Sequence, residues 1–312
     1  MLERVGKMIF DAHCDVLYQL QKDPEKTFSH PALHVTYERL KKTKAKVQCF
    51  AVFLSPSVKP HDRFRSALEQ IDLFYNKVIS PYPDMKAITT KQELNELKEG
   101  EIGAVLTLEG GEAIEEDPLK LATLYRLGVR SVGLTWNHAN ALADGVMAKR
   151  GAGITELGSE VIRMLNEWKV WTDVSHLSER AFWDVMEQAD LPIASHSNCH
   201  RLCPHPRNLK DEQIQALIQK DGMIGLSFVP FFIKEHGKVY AQDVLAHVEH
   251  ICELGGENHL GFGSDFDGID EMIEGWSSYE AYDEWMNLLH RHYSANQAKK
   301  FLFANFSSRF PG

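Results

Sequence analysis

Residues 103–111 read Gly-Ala-Val-Leu-Thr-Leu-Glu-Gly-Gly, a run of apolar and β-branched residues that breaks directly onto the carboxylate of Glu109 and two glycines. A run this short, bounded by turn residues, has the length and composition of a strand buried on both faces, as strands of a parallel sheet are. The pattern recurs outward in both directions. Met-Ile-Phe-Asp11 leads to Ala-His13-Cys-Asp15, and Val170-Trp-Thr-Asp-Val leads to Ser175-His176. Leu191-Pro-Ile-Ala leads to Ser195-His196-Ser, and Leu260-Gly-Phe-Gly-Ser to Asp265-Phe-Asp267-Gly. Candidate strands cover residues 7–11, 46–54, 103–108, 129–135, 170–174, 192–194, 223–228 and 260–263, eight in all. Segments of helical period separate them at 63–78, 90–98, 155–168, 178–188, 211–220 and 239–254, and two more close the chain at 279–290 and 295–304. Thr90 with Glu93 three residues on is a capping box, Ser178 and Asp211 offer caps, and Gly255-Gly256 is a stop signal. Alternating strand and helix predict an α/β chain folded as one (β/α)₈ TIM-type barrel over residues 1–312, with additional C-terminal helices. An open doubly wound sheet is the competing arrangement.

The barrel has a consequence for chemistry. Strand C-termini of a parallel barrel open on one face, so side chains up to about 250 residues apart would meet at a single mouth. Three histidines and at least three carboxylates are then neighbours. His13 and Asp15, two apart on a strand, point to the same side and suit one zinc ion. His176 and His196 suit a second ion. Glu109, with two oxygens, is placed to bridge both. Two such ions activate a shared water and polarise a carbonyl, and Asp265 would serve as the acid/base that carries the proton to the leaving amine. A single strand-end histidine is more often a satisfied polar residue than a ligand, but five strand ends of the right type are harder to dismiss. Gly110, Gly111, Gly263 and Gly268 beside these residues permit close backbone approach. Several carboxylates buried together also call for a cation.

Composition bounds the rest. The 312 residues are 44% hydrophobic and 25% charged, as in ordinary globular proteins, and the formal charge of −10 disfavours a nucleic-acid partner. No stretch approaches the ~18 uncharged apolar residues of a membrane span, and the N-terminus does not read as a secretory signal. Five scattered cysteines are not a disulfide framework and fit a reducing cytoplasm. Cys199 and Cys203 have no second pair and read as structural thiols.

Taken together, Phe-Asp-Ala-His13-Cys-Asp15, Leu-Glu109-Gly, Asp-Val-Ser-His176, Ser-His196-Ser and Gly-Ser-Asp265-Phe-Asp-Gly-Ile, spanning residues 10–269, resemble the renal (membrane) dipeptidase family of zinc peptidases, in its bacterial cytoplasmic branch. The resemblance implies a dipeptide substrate with tolerance of a D-residue at its C-terminal position. It implies two Zn²⁺ per chain: one on His13, Asp15 and Glu109, the other on Glu109, His176 and His196. Arg207, within Pro-His-Pro-Arg-Asn-Leu, matches the family arginine that grips the dipeptide carboxylate, with Arg201 as the weaker match. Tyr18 falls where the family places an aromatic of the side-chain pocket. The chain departs from the animal pattern after Leu134-Thr135, where Trp136-Asn137-His138 displaces a histidine that steadies the intermediate. Asn137 and His138 are the candidates to replace it. Family members often form homodimers. The loop 136–153, with three glycines, is a candidate cover for the mouth. Competing functions are an amidohydrolase of N-acyl amino acids or cyclic amides, and a non-catalytic barrel, which the presence of Asp265 argues against.

Overall fold

The apolar runs fold into parallel strands. The computed structural model describes residues 8–312. It contains β1 (Ile9–Asp11), β2 (Ala45–Phe53), β3 (Met85–Ala87), β4 (Ile102–Glu109), β5 (Val129–Gly133), β6 (Trp171–Asp173), β7 (Pro192–Ala194), β8 (Met223–Leu226) and β9 (Leu260–Phe262). β1 pairs with β2 on one side and β9 on the other, β2 pairs with β4, and β4 to β9 follow in order, so eight parallel strands close a barrel. Closure removes the open-sheet alternative. β3 is a ninth strand outside the ring, paired only with the first three residues of β4. Three residues with one buried side chain offer no alternation to read in sequence.

Several boundaries differ from expectation. Lys7, expected in the first strand, lies outside the described residues. The expected strands 129–135 and 223–228 end at Gly133 and Leu226, and the residues just beyond, Leu134, Thr135, Ser227 and Phe228, are buried but outside the ladder. The helix expected at 63–78 is α-helical over Arg63–Leu73 and continues as a wider π-helical turn over Phe74–Ile79. Asp211 occupies the first turn of its helix and Lys210 is the cap residue. The box at Thr90 forms as expected: its Oγ1 accepts the Glu93 amide at 3.2 Å, and Glu93 Oε2 accepts the Thr90 amide at 3.1 Å. Helix Pro118–Arg126 is an element beyond those expected, begun by the start signal Asp117-Pro118; Asp117 Oδ1 accepts the Leu119 amide at 2.9 Å.

Alternation of side chains along the strands produces two cores. Phe10, Val47, Cys49, Val105, Trp171, Ile193 and Met223 fill the barrel interior, and a larger apolar shell lies between strands and helices. The C-terminal segment completes the interior. Phe306 stacks on Phe10 at 5.3 Å, Phe310 meets Trp171 edge-on at 5.4 Å, and Trp171 Nε1 donates to the Arg309 carbonyl at 3.0 Å. These rings seal the bottom of the barrel, each burial stabilising by roughly 1.5–3 kcal/mol. The chemistry is left to the other end.

One buried histidine ties an outer helix to the rim. His247, on helix Ala241–Glu253, accepts the Cys199 amide at Nδ1 (3.1 Å) and donates Nε2–H to the Ile233 carbonyl (3.0 Å). Burial pushes its pKa down to about 4, so it stays neutral in the fold while the unfolded chain titrates near 6.5. Its contribution is present above that unfolded value and is lost as pH falls towards 4, about 2 kcal/mol of it between pH 7 and pH 5. Urea unfolding at the two pH values should therefore show wild type losing about 2 kcal/mol more than H247Q. Equal losses would remove this account.

Candidate metal centre and active site

Each expected ligand stands at a strand C-terminus. His13 and Asp15 follow β1, Glu109 ends β4, His176 follows β6, His196 follows β7 and Asp265 follows β9. All are buried except Glu109 and Asp265, which are partly exposed to the mouth. The turns that deliver them are tight. His176 and Asp265 have φ of +71° and +64°. Gly110 has φ +88°, and a Cβ there would lie 2.1 Å from Glu112 Oε2 and 2.7 Å from the Trp136 amide nitrogen, so only glycine lets the β4 end and the rim after β5 approach.

The donor atoms converge in two groups. His13 Nε2 lies 3.5 Å from Asp15 Oδ2, 3.6 Å from Glu109 Oε2 and 3.8 Å from Asp265 Oδ1. His176 Nε2 lies 2.8 Å from Glu109 Oε1 and 2.9 Å from His196 Nε2, which is itself 3.6 Å from Glu109 Oε1. One oxygen of Glu109 therefore addresses His13 and the other addresses the His176–His196 pair. Ligands at about 2.0–2.1 Å from a tetrahedral zinc stand about 3.3–3.4 Å apart, close to these separations. Buried His13 Nε2 and Asp15 Oδ1 have no hydrogen-bond partner among the described residues. Inward-facing donors without partners are what a metal centre requires and what a packed core avoids.

Residues outside the ligand set orient it. His176 Nδ1 is 2.8 Å from Asn137 Oδ1, and His196 Nδ1 is 2.7 Å from Ser195 Oγ, whose hydroxyl donates to Asp173. Each Nδ1–H is thereby donated, leaving the Nε2 lone pairs facing Glu109. Asp173 Oδ1 also accepts the amides of Ser175 and Ser195, both at 3.0 Å, locking the end of β6 to that of β7. Asp11 does the same between β1 and β9, accepting the Ser264 amide at 2.8 Å and its hydroxyl at 2.7 Å. The sequence reading missed Asp11, Asp173 and Ser195 in these roles. The signal was an Asp two or three residues before His13 and His176.

Charge in the site is unbalanced. Burial works against a charge on His13, yet Glu109, Asp15 and Asp265 push it up to about 10. Burial, aided by the Asp15 carboxylate, raises Glu109 well above the carboxylate range, and burial pushes Asp265 up to about 7. Burial holds His176 and His196 well below their ordinary value, with Arg207 and His13 adding to it. The protein supplies too little positive charge for its carboxylates and keeps two imidazoles in the neutral form that ligates metal. The donor set fits divalent cations.

The other candidates border a cavity of about 630 Å³ over this centre, within the usual range for a small-molecule site. Tyr18 lines it, edge-on to Phe53 at 5.1 Å, with Trp136 next in the same aromatic wall. Arg207 is buried across from them, held by one bond from Nη2 to the His196 carbonyl (3.3 Å) and stacked over Phe232, with Nε unpartnered among the described residues. Asn137 lines the cavity, whereas His138 is exposed and Arg201 is exposed on the loop outside. The loop 136–153 runs along one lip through Met147 and is fastened beneath: the Val146 amide donates to the His176 carbonyl and the Met147 amide to the Asn137 carbonyl, both at 2.7 Å.

Comparison with known proteins agrees with this geometry. The model of the membrane dipeptidase family (peptidase family M19) matches residues 4–308. An uncharacterized protein in the PQQ-III 3′ region of Acinetobacter calcoaceticus is 32% identical over 282 residues, 78% of this chain and 89% of that one. A metallopeptidase from Rhodobacter sphaeroides, solved with a phosphinate mimic of the dipeptide L-Ala-D-Ala, superposes with a TM-score of 0.91 at 25% identity, over 97% of this chain and 98% of that one. The dipeptidase AC, also a metallopeptidase, gives 0.91 at 26% identity over 98% of both chains. Among the described residues no helix is long and apolar enough to cross a membrane. A closed barrel, metal donors gathered at its mouth and a family match over almost the whole chain lead to one assignment: the chain belongs to the membrane dipeptidase family and is a metal-dependent dipeptidase.

Proposed function

We propose that the chain is a binuclear zinc dipeptidase that accepts a D-residue at the C-terminal position. The observation that carries this reading is the split of Glu109, with Oε2 towards His13 and Asp15 and Oε1 towards His176 and His196. His13, Asp15 and Glu109 would hold one ion; Glu109, His176 and His196 would hold the other. Bound there, the ions supply Lewis-acid polarisation of the scissile carbonyl and acidify water. Asp265 takes the proton of the attacking water and returns it to the leaving nitrogen, a role suited to a carboxyl that stands at the cavity floor 3.8 Å from His13 Nε2. Arg207, buried with its Nε unpartnered among the described residues, offers a planar fork to the substrate carboxylate. The Tyr18–Phe53–Trp136 wall packs against a side chain of the dipeptide. Asn137 Oδ1 orients His176, and its amide nitrogen is the group offered to the intermediate's oxygen. Tolerance of a C-terminal D-residue is supported by the L-Ala-D-Ala mimic bound to the Rhodobacter sphaeroides relative. The five free cysteines suit a cytoplasmic location.

The test is metal analysis with a substrate screen. The expected result is zinc near two per chain, turnover of L,L and L,D dipeptides, and little turnover of N-acetyl amino acids. Preference for the N-acetyl series would replace the dipeptidase reading by an acyl-amino-acid amidohydrolase. Arg207 has its own check. R207K keeps the charge but loses the two-pronged geometry, so KM for a dipeptide should rise ~10–100-fold with kcat changed much less. The preference for a dipeptide over its C-terminal amide should shrink in parallel, and an unchanged preference would take Arg207 out of carboxylate recognition.

A further inference from the structure

The turn after β9 carries a second carboxylate to which the proposed reaction gives no role. Asp267 is buried, and both of its oxygens are taken by backbone amides of a segment more than two hundred residues earlier: Oδ1 accepts His34 N–H at 2.6 Å and Oδ2 accepts Val35 N–H at 2.9 Å. The exchange is reciprocal, because the Asp267 amide donates to His34 Nδ1 at 3.0 Å. Its carbonyl is held as well, by Gln19 Nε2 at 2.7 Å from the helix Val16–Lys22 that follows Asp15. The segment gripped in this way is itself anchored, since the His34 carbonyl accepts the Tyr279 amide at 3.0 Å.

What this clamp restrains is a turn under local strain. Asp265 and Asp267 both have left-handed backbone, φ +64° and +69°, a conformation that costs a side-chain-bearing residue and is least costly for Asp and Asn. Between them Phe266 is fully buried, and after them Gly268 is so close that a Cβ would lie 2.2 Å from Asp15 Oδ2 and 2.6 Å from Asp265 Oδ1. An unclamped turn could relax by rotating Asp265 away from His13, whose carbonyl accepts the Asp265 amide at 3.2 Å.

We propose that Asp267 is a positioning residue for the reaction: by clamping the His34 and Val35 amides it holds the Asp265–Gly268 turn in the left-handed geometry that aims the Asp265 carboxyl at the metal centre. This inference rests on the reading of Asp265 as the proton carrier. The test therefore measures D265N beside D267N and D267A. Asparagine tolerates left-handed backbone and keeps one acceptor, so D267N removes half of the clamp without changing the backbone preference. Its kcat should fall about tenfold or more, with KM and zinc content within about twofold of wild type, since a misaimed acid/base lowers the rate of chemistry alone. Hydrogen exchange at the His34 and Val35 amides should accelerate in D267N, and D267A should be slower in turnover than D267N. Wild-type exchange at those two amides, or turnover within twofold of wild type in D267N while D265N is inactive, would overturn the positioning role and leave the role of Asp265 standing. Normal turnover in D265N would overturn both. Should D267A fail to fold, D267N and H34A carry the test: their effects on kcat should be less than additive, because both loosen one clamp, and full additivity counts against it.

Discussion

Glu109→Gln should bind markedly less zinc than wild type and lose dipeptidase turnover by about 10³-fold or more, several kcal/mol of transition-state stabilisation. Glu109 Oε2 faces His13 and Oε1 faces His176 and His196, so this one carboxylate reaches both sets of nitrogens. Glutamine keeps the size but offers one neutral oxygen and an NH₂ group that would point its protons at a cation or at a ligating imidazole. The loss should fall mainly on the shared position, because His13 with Asp15 and His176 with His196 remain as pairs. Metal analysis after dialysis, with turnover in zinc-supplemented buffer, checks this. Zinc near two per chain together with wild-type turnover in E109Q would remove Glu109 from the bridge.

Asp265→Asn separates metal binding from proton transfer. The change is close to isosteric, and asparagine is at home at φ +64°. Zinc content should remain near that of wild type, while kcat should fall by about 10²–10⁴-fold, the usual range for loss of a general acid/base. The pairing of the two variants is informative. E109Q is expected to fail at binding metal, D265N at using it. Wild-type kcat in D265N would exclude Asp265 from the mechanism. Loss of zinc in D265N equal to that in E109Q would make Asp265 a ligand of the His13 centre, for which its 3.8 Å distance from His13 Nε2 leaves room.

Much of the fold and site is legible along the chain for a simple reason. The strands of a parallel barrel are buried on both faces, so each appears as a short apolar run, and the residue that ends the run is where function sits. His13, Asp15, Glu109, His176, His196 and Asp265 are all readable in this way. β3 is not, because three residues on the flank of β4 carry no periodic signal, and the π-helical turn Phe74–Ile79 has the apolar spacing of the α-helix it extends. Helix Pro118–Arg126 carries its own signal in Asp117-Pro118.

What the chain alone determined was chemical identity: which side chains could ligate, which could carry a proton, and that strand ends would bring them to one rim. Only the tertiary structure decided how they are used. That Glu109 splits its oxygens between two imidazole groups, that Asn137 meets His176 and Asp173 meets Ser195, and that Asp267 grips the His34 and Val35 amides are facts of contact between segments tens to hundreds of residues apart. Hydrogen-bond partners across such distances depend on barrel register and on rim turns set by glycine and left-handed residues, which leave no spacing rule in the sequence.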